Sequence, residues 1–174
     1  MRLPEIIYSA YSLARSGWML RGVPPSLAET VADHSYAAAL IAAEVAQKVG
    51  ADPYKAALMA LIHDLAETKV GDIAKVAGIP EAKKVAEESA MASLEVSDLI
   101  KSLMMGFNEG RCPEAIVAKA SDLAATIVAG KYYERMGFDV KEIEETSRTE
   151  LETLALSSGL GERLLNALRE LGLI

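Results

Sequence analysis

The chain of 174 residues is 51% hydrophobic and 25% charged, which supplies a core, excludes a disordered chain and fits one domain over residues 1–174. Only 5% of residues are aromatic and the small residues are mostly alanine, which disfavours a β-sandwich or barrel. The single cysteine, Cys112, excludes a disulfide framework or a cysteine-rich zinc site and suits a reducing, cytoplasmic setting, while a net charge of −7 argues against a nucleic-acid polymer as partner.

In chain order the pattern is helical almost throughout. The N-terminal MRLPEIIYSAYSLARSGW carries Pro4, Glu5 and Arg15 and no sustained apolar run, so neither a signal peptide nor a membrane anchor is expected. Leu3 to Ala14 predicts a first helix, interrupted by Ser16, Gly17 and the Gly22-Val23-Pro24-Pro25 run. Ser26 with Glu29 matches a capping box opening a long alanine-rich helix towards Val49, where Gly50 is a natural stop. Asp52-Pro53 offers a cap and an N1 proline for the next helix, which continues through AALMALIHDLAE. Gly71 and Ala77 to Pro80 punctuate the chain before a helix from Glu81 to about Met105 and a loop from Gly106 to Pro113. Helices over about Pro113 to Met136, Val140 to Leu156 and Glu162 to Leu171 complete it. The expected fold is an all-α bundle of six or more helices, with no strand, repeat or linker.

The polar residues on apolar helices carry the chemistry. His63-Asp64 follows the apolar run from Ala56 to Ile62, and Glu67 and Asp72 follow within HDLAETKVGD. Glu67 lies one turn from both members of the pair if the helix persists, and Gly71 permits a turn that brings Asp72 back. Such a cluster is costly to bury without a cation, and Lys69 offsets only one of its charges. The other histidine, His34, sits in ETVADHSYAAALIAAEV, and Asp122 stands alone in AIVAKASDLAATIVAG with Lys119 as a local partner. Taken singly, these residues also suit ordinary roles: helix capping, a hydrogen-bonded core histidine and a Lys119–Asp122 pair.

His34, His63-Asp64 and Asp122, in that order, resemble the H…HD…D signature of the HD-domain metal-dependent phosphohydrolases, over about residues 10–130. Within that superfamily HDLAETKVGD is similar to the H-D-x-x-E-x-x-x-G-D motif of the 5′-deoxynucleotidases, the neighbourhood of the oxetanocin-biosynthesis-type proteins. RSGWMLRGVP leading to ETVADHS looks like the group's Arg/Trp segment before its first metal-binding histidine. The resemblance implies an HD-domain helical bundle with C-terminal helices over about 140–174. It also implies one divalent ion (Mn, Co, Ni, Fe or Zn) held by His34, His63, Asp64 and Asp122, with Glu67 and Asp72 handling the attacking water and its proton. That mixed nitrogen and oxygen donor set suits any of these metals.

A phosphate substrate needs local positive charge. Arg15 and Arg21, which bracket Trp18, are the only charged residues between Ile6 and Ala28. They are the candidate substrate-binding group, with Trp18 packing on a sugar or base, and the resemblance implies that Trp18 crowds the sugar 2′ position and so favours deoxyribose. Core burial is the ordinary alternative for Trp18. In the group's bacterial members an arginine directly precedes the tryptophan, whereas here Gly17 does. Lys141 to Glu152 reads as a solvated helix face, and Cys112 and the methionines read as structural. The expected enzyme is a phosphohydrolase releasing phosphate from nucleoside 5′-monophosphates, a homodimer binding neither nucleic-acid polymer nor membrane. The alternatives are a nucleotide pyrophosphohydrolase or phosphodiesterase using the same metal site, or a non-catalytic nucleotide-binding module.

Overall fold

The computed structural model describes all 174 residues. Ten α-helical segments and one 3-10 turn follow each other along the chain. They are α1 (Leu3–Ser12), α2 (Ser16–Met19), α3 (Val31–Val49), α4 (Pro53–Ile62), α5 (Glu67–Val70), the 3-10 turn Lys75–Ala77, α6 (Pro80–Ser93), α7 (Asp98–Glu109), α8 (Pro113–Arg135), α9 (Lys141–Ser157) and α10 (Glu162–Glu170). No helix is long and apolar enough to cross a membrane.

The centre is α8, which packs against α3, α4, α7 and α9. Its apolar residues point all round the helix, as expected for a helix enclosed by others. Alanine makes the close packing possible: Ala38, Ala42 and Ala46 of α3, Ala56 and Ala60 of α4, and Ala118, Ala120 and Ala124 of α8 are fully buried. With so little side chain between them, helix axes can approach to the short end of the usual range of roughly 8–10 Å. A smaller cluster of Trp18, Val23, Ala28, Tyr133 and Val140 closes one end.

Several boundaries differ from the sequence reading. The first helix ends at Ser12, because the chain peels away into an isolated antiparallel bridge between Ala14 and Thr30. In that bridge the Arg15 N–H donates to Glu29 O at 2.9 Å and the Val31 N–H to Leu13 O at 2.8 Å. The capping box of α3 is Thr30 with Asp33, not Ser26 with Glu29: Thr30 Oγ1 accepts from the Asp33 N–H and Asp33 Oδ2 from the Thr30 N–H. The helix expected from Glu81 to Met105 is two helices, because buried Leu94 leaves α6 in extended backbone and Ser97 caps α7. Gly106 to Glu109, expected as loop, belong to α7.

Candidate active site

Three chain segments meet beside the middle of α8. His34 lies in the first turn of α3, and Asp122 projects from the middle of α8. His63 is the C-cap residue just past α4, which stops at Ile62 rather than continuing to Glu67, and a run of tight turns carries the chain from His63 through Asp64 to α5. His34 Nε2 lies 2.9 Å from Asp122 Oδ1. His63 Nε2 lies 3.6 Å from the same Asp122 oxygen and 3.0 Å from Asp64 Oδ2. One ligand atom each from His34, His63 and Asp122 fall within 4.8 Å of one another, while Asp64 also reaches sideways to Arg15 Nη1 at 3.1 Å.

The donor chemistry suits a divalent ion. The His63 Nδ1–H donates to Ala60 O at 2.7 Å, which leaves the lone pair on Nε2. That nitrogen is buried without a hydrogen-bond partner yet faces two carboxylates. A cation belongs between them, either a proton or a metal ion. Accordingly, although burial opposes a charged ring, Asp64 and Asp122 raise His63 well above its ordinary value. Burial likewise works against both carboxylates, but His63 holds Asp64 and Asp122 below the usual carboxylate range. Two imidazoles with two carboxylates make a set that several first-row divalent metals accept.

The remaining residues lie around a cavity of about 320 Å³ that includes Asp64 and Asp122 in its wall. Glu67 begins α5 and is 2% exposed. Its Oε1 accepts from Lys83 Nζ at 3.0 Å, and its Oε2 is buried with no partner. Burial, followed by the charges of Asp64 and Asp72, pushes the Glu67 carboxyl up to about 8 against the pull of Lys83. Gly71, at φ +86°, makes the turn that returns Asp72, but to Ser16 rather than to the histidines. Asp72 Oδ2 accepts from the Ser16 hydroxyl at 2.7 Å and from the Ser16 N–H, tying the loop to α2.

The expected substrate group divides. Arg15 is mostly enclosed between Asp64 and Glu29, Nε lying 3.6 Å from Glu29 Oε1. Arg21 sits at the cavity rim and pairs with Glu142 of α9. Trp18 is 1% exposed, packs against Tyr133 with ring centroids 4.9 Å apart and planes tilted by 52°, and donates its Nε1–H to Glu29 Oε1 at 2.9 Å, so core burial accounts for most of its surface. The local partners considered for the acids are engaged elsewhere: Lys119 bonds to Asn108 O, and Lys69 to Ser93.

Three features escaped the sequence reading. Lys83 of α6, bonded to Glu67 and to Ile73 O, supplies the cation that Lys69 does not. Glu29, which matched a capping box, instead faces Arg15, Trp18 and His34. The supposedly solvated face of α9 forms a wall of the cavity through Glu142, Ile143, Thr146 and Ser147.

Residues 12–159 match the sequence model of a family described as HD domain. A mouse protein named 5′-deoxynucleotidase HDDC2 is 33% identical over 141 residues, covering 77% of this chain and 69% of that protein. A crystal structure of a Pyrococcus horikoshii protein superposes with a TM-score of 0.80 at 28% identity, over 96% of this chain and 95% of that one. The cyanophage S-2L HD phosphohydrolase DatZ, solved bound to dA and one catalytic Zn2+ ion, gives a TM-score of 0.73 over 98% of this chain and 94% of that one. At 19% identity that last likeness bears on the fold alone.

Proposed function

The chain belongs to the HD domain family, and from that premise we propose that it is a phosphohydrolase releasing phosphate from nucleoside 5′-monophosphates, deoxynucleotides foremost. The observation that carries the reading is the bare Oε2 of Glu67, buried at the wall of the cavity that Asp64 and Asp122 also line. His34, His63, Asp64 and Asp122 would hold one divalent ion, which when bound supplies Lewis acidity to a phosphoryl oxygen and to water. Glu67 receives the proton of the attacking water on Oε2, while Lys83 holds its other oxygen. Asp72, occupied by Ser16, serves by fixing the loop and α2 rather than as a second base.

Arg15 is balanced by two carboxylates and keeps the site from accumulating unpaired negative charge. Arg21, at the rim, is the arginine free to exchange Glu142 for a phosphate oxygen. The nucleoside then lies along Ile143, Thr146 and Ser147 of α9. A homodimer in the cytoplasm completes the reading. The exposed tyrosines of α1, Tyr8 and Tyr11, support an apolar contact between copies.

The test is product analysis on nucleoside mono-, di- and triphosphates with Mn2+, Co2+, Ni2+, Fe2+, Zn2+ or Mg2+ added. Inorganic phosphate from the monophosphates supports the reading, and pyrophosphate from triphosphates selects a pyrophosphohydrolase. Nucleotide binding with background turnover, unchanged in Glu67→Ala, selects a binding module.

A further inference from the structure

Glu29 has no part in the proposed chemistry, yet its carboxylate is held by three neighbours. Its Oε1 accepts the Trp18 Nε1–H at 2.9 Å and lies 3.6 Å from both Arg15 Nε and His34 Nδ1. Its backbone is held equally firmly. The Glu29 N–H donates to Tyr133 Oη at 2.8 Å, that hydroxyl donates to Leu27 O at 3.0 Å, and Glu29 O receives the Arg15 N–H across the bridge. Trp18, Arg15 and Tyr133 thus converge to place one carboxylate oxygen beside one histidine nitrogen.

His34 needs such a neighbour. Its ring is wholly buried, and Nδ1 has no hydrogen-bond partner in this structure. Nε2 is directed at Asp122, the ligand side of the ring. When Nε2 serves as a metal ligand the neutral ring carries its proton on Nδ1, and a buried N–H without an acceptor keeps its full desolvation cost. Glu29 Oε1 lies just beyond hydrogen-bond distance, so a few tenths of an ångström of ring or carboxylate movement makes the bond.

We infer that Glu29 is a positioning residue for the metal site: it accepts the His34 Nδ1–H and thereby holds the Nε2 lone pair towards Asp122. Metal-ligating histidines commonly donate their second nitrogen to a carboxylate in this way, which fixes the tautomer and increases ligand basicity. Arg15 offsets the charge of Glu29, so the carboxylate strengthens the ligand without itself occupying the ion's coordination sphere. The inference rests on the metal-site reading of His34, and the experiment separates the two.

Zn2+ affinity is measured by chelator competition on the wild-type protein and on Glu29→Met, which removes the acceptor facing His34 Nδ1 while keeping most of the side chain's length. The expected result is a Kd raised about 10–100-fold in the variant. A purely structural role would lower the unfolding midpoint of the metal-free variant and leave Kd in place. A wild-type protein that takes up no Zn2+ overturns the metal site and this inference together. A wild type that binds, with a folded variant binding within twofold of it, overturns this inference alone. Nitrogen-15 spectra of the zinc-loaded wild type give a second readout that does not depend on the variant folding. The chain has two histidines, and the His63 ring is identified by its contact with Phe107, 5.2 Å between ring centroids. The His34 ring is expected to show a strongly downfield Nδ1–H. A His34 Nδ1 without a proton would overturn the proposal.

Discussion

Lys83 and Glu67 are joined by a 3.0 Å ion pair between α6 and α5, which occupies one carboxylate oxygen and leaves the other buried and bare. The pairing makes two substitutions informative. Glu67→Gln is expected to lower kcat by about 10²–10⁴-fold, the usual contribution of a positioned acid or base, while divalent-ion affinity stays near wild type. Lys83→Met removes the charge that opposes burial, Asp64 and Asp72 at Glu67, so the carboxyl rises further from about 8. Its rate at pH 7 is expected to fall about 10-fold and to recover towards pH 9, since each unit of pKa is a factor of ten in ionised base. A pH–rate profile of the metal-loaded variant that superposes on the wild type would count against Glu67 as the base.

The metal-free protein should be most stable in mild acid. His34 and His63 have raised folded values: burial works against the charged rings, but Asp122 acts on both, with Glu29 helping at His34 and Asp64 at His63. The stability they add is complete below the unfolded histidine value of about 6.5 and is lost as pH rises through the folded ones. Glu67, raised to about 8, acts in the same sense between about pH 4.3 and pH 8. Asp64 and Asp122, held low, add stability above about pH 4 that is lost only in stronger acid. Thermal unfolding in a chelator should therefore give a lower Tm at pH 8.5 than at pH 6. Added Mn2+ should raise Tm more at the higher pH, because the ligands bind metal in their deprotonated forms. A metal-free Tm that climbs from pH 6 to pH 8.5 would be the wrong sign.

Trp18 is expected to matter first for stability. Trp18→Ala opens a cavity against Tyr133 and Val140 and should cost about 3–5 kcal/mol in urea unfolding. Trp18→Phe keeps most of the packing but removes the N–H bonded to Glu29, for about 1–3 kcal/mol. A Trp18→Phe protein of unchanged stability that differs only in its ribose-to-deoxyribose ratio would show that the indole acts on the sugar instead.

The two arginines should separate in the opposite directions. Arg21→Ala, at the rim, is expected to raise KM for the nucleotide about 10-fold at nearly constant kcat, the loss of one charge-assisted contact. Its stability should change by no more than about 0.5 kcal/mol. Arg15→Met leaves Glu29 and Asp64 facing each other without their cation and should destabilise by about 3–5 kcal/mol. Equal KM effects with no stability difference would contradict this division.

The residues legible in the sequence were those whose polarity conflicts with their surroundings. His34, His63 and Asp122 sit in runs of alanine, valine, isoleucine and leucine, where a charge needs a partner, and the structure brings all three together. Glu29 was hidden because Ser26-x-x-Glu29 matches a capping signature; Thr30 with Asp33 does that work, and only the Ala14–Thr30 bridge shows where Glu29 lies. Lys83 was hidden beside Lys84 in a polar helix. One turns in to Glu67 while the other stays exposed near Glu88, a difference set by how α6 docks rather than by local sequence. The wall contributed by α9 was missed for a similar reason, since a charged helix reads as solvated until another element covers it. The break between α6 and α7 carries no glycine or proline, and buried Leu94 makes it a tertiary event.

The most direct test of the central claim is phosphate release from a deoxynucleoside 5′-monophosphate as the metal-free protein is titrated with Mn2+ or Co2+, alongside Asp122→Asn. The account predicts release that rises with ion occupancy and reaches a plateau at one ion per chain, and that falls to background in the folded variant. Release that is independent of added ion and survives both chelation and Asp122→Asn would contradict it.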